Sequence, residues 1–148
     1  MSKKFDVYWA NALFSLADRN FNSECAKRLR NNNITVFLPQ EGDFNKSKSP
    51  TEIEIFENDI HALNNSAVLV ACIDQETIDC GVGCEIGLAY QQNMPIIGLY
   101  TDVRRDRLNY KMYKNPFVMG VIMKKGKILN DVEALSAVIK SLLDSSEC

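Results

Sequence analysis

Histidine occurs once, at His61, and tryptophan once, at Trp9, in a chain of 148 residues. A single imidazole, remote from the cysteines, is too little for the His/Cys sets that hold zinc. The five cysteines (Cys25, Cys72, Cys80, Cys84, Cys148) offer no second close pair beside Cys80 and Cys84, so no metal and no cofactor is expected. Their odd number and apolar or loop context suit reduced thiols rather than a disulfide framework. Long apolar runs are also lacking. None approaches membrane-spanning length, and Met1-Ser2-Lys3-Lys4 passes directly into a strand-like segment without the apolar core of a signal peptide. A cytoplasmic protein without membrane contact is expected. Nor is there an excess of positive charge: 17 Lys and Arg stand against 19 Asp and Glu, which argues against a general nucleic-acid binder. Arg104-Arg105-Asp106-Arg107 and Lys124-Lys125-Gly126-Lys127 are local basic clusters that read as solvated loops.

What the chain does have is a regular alternation of strand and helix signals. Phe5 to Ala10 reads as a first strand, and Leu16 to Asn32 as a helix with Phe21, Cys25, Ala26 and Leu29 at helical spacing, stopped by Asn31-Asn32-Asn33. Ile34 to Leu38 reads as a second strand, followed by a polar loop and a helix opened by Pro50-Thr51. Ser66 to Ile73 is uncharged throughout and reads as a fully buried parallel strand. A third helix from about Gly83 to Asn93, a strand from Pro95 to Tyr100, a weak strand near Phe117 to Met123 and an amphipathic helix through Val132, Leu135, Ile139, Leu142 and Leu143 complete the pattern. With 46% apolar content and no repeat, low-complexity stretch or linker, this is one α/β domain over residues 1–148. It is expected to be doubly wound and flavodoxin-like, with about five mostly parallel strands and helices on both faces.

Three carboxylates crowd the two ends of the buried strand. Asp59 lies on the preceding helix, Asp79 follows 20 residues later, and Glu85 comes six residues after that. In an open α/β sheet, ligands bind beyond the carboxyl ends of the strands, where Asp79 and Glu85 fall. Glu85 is expected to begin the third helix just after a tight Gly81-Val82-Gly83 turn, where unpaired amides favour a carboxylate. On the preceding helix Phe56, Ile60 and Leu63 are read as core-facing, with Asp59 on the same arc and Glu54 and Glu57 exposed. The glycines lack the Lys and Ser/Thr of a phosphate loop, and two neighbouring acids would repel pyrophosphate, so Gly81 more naturally brings an uncharged ligand near Glu85.

The Asp79-to-Glu85 stretch, the Glu85-Ile86-Gly87-Leu88-Ala89-Tyr90 helix start and the upstream Asn58-Asp59 resemble nucleoside 2-deoxyribosyltransferases, over roughly residues 5 to 120. The resemblance implies Glu85 as nucleophile, Asp79 and Asp59 as base-contacting acids, and Tyr8 as the group orienting the nucleophile. It also implies Phe14 as a wall of the base pocket, Gln40 as a base-binding amide, and Asn109-Tyr110-Lys111-Met112 as a segment reaching into a neighbouring subunit. Asn109 would hold the sugar 5′-hydroxyl there, with Met112 beside it. The implied activity is exchange of the base of a 2′-deoxynucleoside with a free purine or pyrimidine through a deoxyribosyl ester, in nucleoside salvage, by a homo-oligomer with shared sites. The chain departs from the family at Ala10-Asn11-Ala12, where glycines are usual.

Two alternatives stand beside this reading. Relatives that hydrolyse deoxynucleoside 5′-monophosphates carry a Ser/Arg/Gly-rich loop after the first strand; here Ser15 and Arg19 are present without clustered glycines, which favours unphosphorylated nucleosides. A non-catalytic nucleoside-binding or receiver-like module would have paired acids after the first strand, and Asp6 has no acidic partner.

Overall fold

The computed structural model describes residues 3–42, 49–106 and 114–145. Five strands, β1 (Phe5–Ala10), β2 (Val36–Phe37), β3 (Ser66–Cys72), β4 (Ile96–Leu99) and β5 (Gly126–Leu129), form one sheet in the order β2-β1-β3-β4-β5. Every pairing is parallel, with Tyr8 opposite both Phe37 and Leu69. This is the expected flavodoxin-like order, and its switch point lies between β1 and β3.

The helices are α1 (Leu16–Asn31), α2 (Glu52–Asn64), α3 (Cys80–Gln91), α4 (Pro116–Lys125) and α5 (Leu135–Ser145). Alternation along the strands divides the core into two layers. Val7, Trp9, Val68, Val70, Ile97 and Leu99 pack with Cys25, Ala26 and Leu29 of α1 and with Leu135 and Ile139 of α5. On the opposite face Tyr8, Ala10, Leu69, Ala71 and Ile96 pack with Leu63 of α2, with Val82, Ile86 and Ala89 of α3, and with Ile122 of α4. Ser15 with Asp18 and Thr51 with Glu54 form reciprocal capping boxes, so both helices start where short polar side chains satisfy the free amides. Asn33 and Asn93, at φ 60° and 57°, turn the chain out of α1 and α3.

The structure differs from the sequence reading at four places. α3 begins at Cys80, three residues before the expected start, because Asp79 takes the N-cap and accepts from the amides of Gly81 and Val82 at 2.9 and 3.2 Å. The glycines therefore lie inside the helix rather than making a turn before it. The apolar stretch Phe117–Met123 is helical, since Asn115 caps it, Pro116 occupies its first turn, and Val118, Met119 and Ile122 share one face against the core. The fifth strand is instead built within the basic cluster read as a loop, where Gly126 lets the backbones close: a Cβ there would lie 1.8 Å from the Ile96 carbonyl oxygen. Finally, Phe56 is 59% exposed rather than core-facing, so Ile60 and Leu63 carry that face of α2. Among the described residues, no helix is long and apolar enough to cross a membrane.

One buried polar residue governs the loop after β1. Asn22 of α1, 1% exposed, accepts through Oδ1 from Trp9 Nε1 (2.9 Å) and Asn11 Nδ2 (2.8 Å). Its Nδ2 donates to the Ala12 carbonyl and to Gln40 Oε1, both at 3.0 Å. Replacing it with an apolar isostere strands several partners at once, each costing about 1–3 kcal/mol when left unpaired in the interior. Asn22→Leu should lower stability by about 3 kcal/mol and the melting temperature by about 10 °C. A thermal melt within 2 °C of the parent, on the order of ~1 kcal/mol or less, would show that the network contributes little.

Candidate active site

Tyr8 sits in the middle of the sheet face, fully buried and stacked on Phe37 with ring centroids 5.3 Å apart. A phenol so placed needs a partner, and it has one: Tyr8 Oη donates to Glu85 Oε1 at 2.6 Å. Glu85 is in the second turn of α3, not at its start, and the first-turn amides of Gly81 and Val82 bind Asp79 instead. The charge on Glu85 is thus supported by a phenol hydroxyl rather than by the helix terminus the sequence pointed to.

Burial is the dominant influence on Glu85. Desolvation pushes its carboxyl up from the usual 4.5 to about 7; the Tyr8 hydrogen bond opposes this, and the charges of Asp59 and Asp79 reinforce it. Asp59 is also held above the ordinary aspartate range, again chiefly by burial, while the amide of Asn58, donating to Asp59 Oδ1 at 3.0 Å, pulls the other way. Burial first, and then Glu85 and Asp59, drive the Tyr8 phenol upward, so it remains a donor throughout the range in which the acids titrate.

Two cavities meet at these residues. The larger, about 570 Å³, lies between α2 and α3 with walls from Phe56, Ile60, Leu63, Cys84, Gly87 and Leu88. The smaller, about 290 Å³, lies under the loop after β1 and is lined by Asn11, Phe14, Ile55, Asn58 and Asp79 among others. Asp59, Gly81 and Glu85 belong to both walls, and no lysine or arginine lines either one among the described residues. Gly87 keeps the larger cavity open, since a Cβ there would meet nothing within 4 Å.

The structure therefore brings together Tyr8, Asp59, Asp79, Gly81 and Glu85. Phe14 lines the smaller cavity from its rim and is 80% exposed. Gln40 stands apart. It lines neither cavity, and its amide is engaged by Asn22 through Oε1 and by the Arg19 carbonyl and Ser23 Oγ through Nε2, at 3.0, 3.0 and 2.9 Å. Its place is structural because the chain after β2 folds into a short 3-10 turn, Pro39–Glu41, that points the side chain back at α1. Asn109 and Met112 lie outside the described residues. Sequence reasoning passed over Asn11 and Asn58, two amides on the wall of the smaller cavity. Their signal was an asparagine at a strand's carboxyl end and another directly before the helix acid.

Comparison with known proteins bears on the whole arrangement. The family model described as nucleoside 2-deoxyribosyltransferase matches residues 7–130. Among solved structures, a conserved protein from Enterococcus faecalis V583 is 31% identical with a TM-score of 0.80, the alignment covering 91% of this chain and 96% of that one. A 2-deoxyribosyltransferase from the psychrotolerant bacterium Bacillus psychrosaccharolyticus is 18% identical, with a TM-score of 0.68 and coverage of 88% and 89%. A corresponding enzyme from Leishmania mexicana is 14% identical, with a TM-score of 0.67 and coverage of 90% and 96%; at such identities these two speak to the fold alone. A search of curated proteins finds no match. With 124 consecutive residues matched by the family model, the chain belongs to the nucleoside 2-deoxyribosyltransferase family.

Proposed function

We propose that this protein exchanges the base of a 2′-deoxynucleoside for a free purine or pyrimidine, with Glu85 as the nucleophile. The observation that carries the reading is the 2.6 Å hydrogen bond from a fully buried Tyr8 to a carboxylate standing where two cavities meet. The ionised Glu85 attacks C1′, forming a deoxyribosyl ester as the C1′–N bond breaks, and the base leaves with a proton from the Asp59/Asp79 pair. Burial favours the protonated form of Asp59, which suits it to hold that proton. An incoming base then attacks C1′, returns its proton to the pair and releases the Glu85 carboxylate, so two inversions give net retention. Without a 2′-hydroxyl on the sugar the oxocarbenium-like transition state is easier to reach, and the steps need neither metal nor cofactor.

The absence of lysine and arginine from the described cavity walls supports an unphosphorylated substrate over a nucleoside 5′-monophosphate. Phe14, Phe56 and Phe117, all more than half exposed, support assembly with further copies of the chain, which would close the open sides of the site. A place in intracellular nucleoside salvage follows from the reaction. Incubation with deoxyinosine and adenine should yield deoxyadenosine, and omission of adenine should leave most deoxyinosine intact. Release of hypoxanthine at the same rate with and without adenine would make the protein a hydrolase, and binding without turnover would make it a non-catalytic module.

Glu85→Gln should reduce exchange by about 10³-fold or more and abolish the ester that mass spectrometry traps on the parent. Parental exchange by this variant would end the scheme. Tyr8→Phe removes a hydrogen bond to a charged group, worth about 1.5–3 kcal/mol, so exchange should fall about 10- to 100-fold. The same change should raise the Glu85 titration midpoint above about 7, as followed by infrared difference spectra against Glu85→Gln. An unmoved midpoint would mean that the phenol does not support the charge.

The elevated Glu85 also sets a pH dependence of stability. A carboxyl whose folded-state pKa exceeds its unfolded value binds its proton more tightly when folded, so its stabilising effect is complete below about 4.5 and lost as pH rises through about 7. Glu85→Gln has no such loss. Relative to the parent, it should gain about 3 kcal/mol between pH 4 and pH 8 in urea unfolding. Parallel stability curves for the two proteins would contradict the assignment.

A further inference from the structure

The connection from β3 to α3 brings Asp79 to the cavity, and its path is held by a residue outside the site. Lys114, just before the Asn115 cap of α4, is 4% exposed. Its Nζ donates to the Asp74 carbonyl at 3.2 Å and to the Gln75 carbonyl, and it lies 5.0 Å from the centroid of the Tyr100 ring. Enclosing an ammonium is costly, and desolvation lowers the Lys114 pKa, opposed by the charges of Asp102 and Asp74. Those acids balance the charge through space, and the ammonium donates to the main-chain carbonyls of Asp74 and Gln75.

The Asp74 carboxylate faces a second direction. It accepts from the Thr101 amide and hydroxyl, both at 2.5 Å, and from the Asp102 amide at 2.9 Å, tying the start of the loop to the exit of β4. The loop is therefore gripped at Asp74 and Gln75, packed at Ile78 against the core and fixed at Asp79 by the α3 cap. Between the grip and the cap there are only three residues, Glu76 to Ile78, a reach of at most about 14 Å, so the grip limits where the cap can stand.

We propose that Lys114 is a positioning residue: by binding the Asp74 and Gln75 carbonyls it sets the course of the β3–α3 loop and, through it, the placement of Asp79 beside Glu85. The proposal rests on the base-exchange reading for its catalytic consequence but not for its structural one, and two measurements separate them. In Lys114→Ala, base exchange between deoxyinosine and adenine should fall about 100-fold in kcat/KM, the scale of a misplacement of about 1 Å at a reacting centre. Hydrogen exchange at the Gly81 and Val82 amides, which bind Asp79, should quicken in the same variant. Propylammonium chloride, which can enter the vacated space, should restore both, whereas sodium chloride at equal ionic strength should restore neither. Lys114→Met fills the volume without the charge; it should show the same losses with no rescue, and it serves where the alanine variant does not fold. Parental activity or unchanged Gly81 and Val82 protection in either variant, or a loss in Lys114→Ala indifferent to propylammonium, overturns the proposal. If the parent itself exchanges no base, the function reading fails, and amide protection with its rescue alone decides the role of Lys114.

Discussion

The hydrogen bond between Tyr8 and Glu85 joins residues 77 positions apart, and the sheet order explains how it can form. With β1 next to β3, the helix following β3 packs across the face on which Tyr8 lies, and its inward positions Val82, Ile86 and Ala89 seat it so that Glu85 reaches the phenol hydroxyl. Ala10 and Ala71 keep that part of the face low, while Phe37 stacks on the phenol and fixes its plane. The phenol is fully buried and the carboxylate half-buried. Each is costly there without the other, so the pair constrains β1, β3 and α3 together.

Buried and half-buried polar groups also organise the loops around the cavities. Asn22 gathers the loop after β1 through Asn11 and Ala12, and reaches the chain after β2 through Gln40. Asp74 joins the exits of β3 and β4. These contacts stand at the carboxyl edge of the sheet, where the apolar layers end and the hydrophobic effect no longer specifies loop conformation. Directional hydrogen bonds between buried groups are suited to that task because an incorrect loop position leaves them unpaired.

The two periods of hydrophobic pattern made most of the fold legible in the sequence. The uncharged run Ser66–Ile73 and the spacing of Cys25, Ala26 and Leu29 correspond to β3 and to the inner face of α1. Phe117–Met123 misled because a short apolar run fits either period, and only the Asn115-Pro116 start distinguishes a helix. The edge strand Gly126–Leu129 carried no signal because one lysine and two half-buried apolar residues suffice beside β4. At the candidate site, Asp79 and Glu85 could be selected from their position beyond the end of β3 and Asp59 from its place on the arc of its helix beside Leu63, and Asp59, Asp79 and Glu85 do share a cavity. Gln40 could not be placed this way. Which way a loop amide turns depends on contacts with α1 that no local pattern encodes, and the same holds for Asn22 and Lys114, whose partners are distant in sequence.

The environment of Glu85 balances two opposing requirements that its proposed role as a nucleophile would impose. A well-solvated carboxylate is fully ionised at neutral pH but must shed water before it attacks; a buried one is already stripped but tends to hold its proton. A midpoint of about 7 lies between these limits, and the Tyr8 hydroxyl is the group that stops burial from carrying it further. Asp59 and Asp79 push the same carboxyl upward, so a cation on the cavity wall would work against them and draw Glu85 toward the ionised state. The lack of lysine and arginine on the described walls thus suits the proposed exchange as well as an uncharged ligand: the acids remain the principal charges of those walls, as a proposed pairing of one protonated acid with one ionised carboxylate requires.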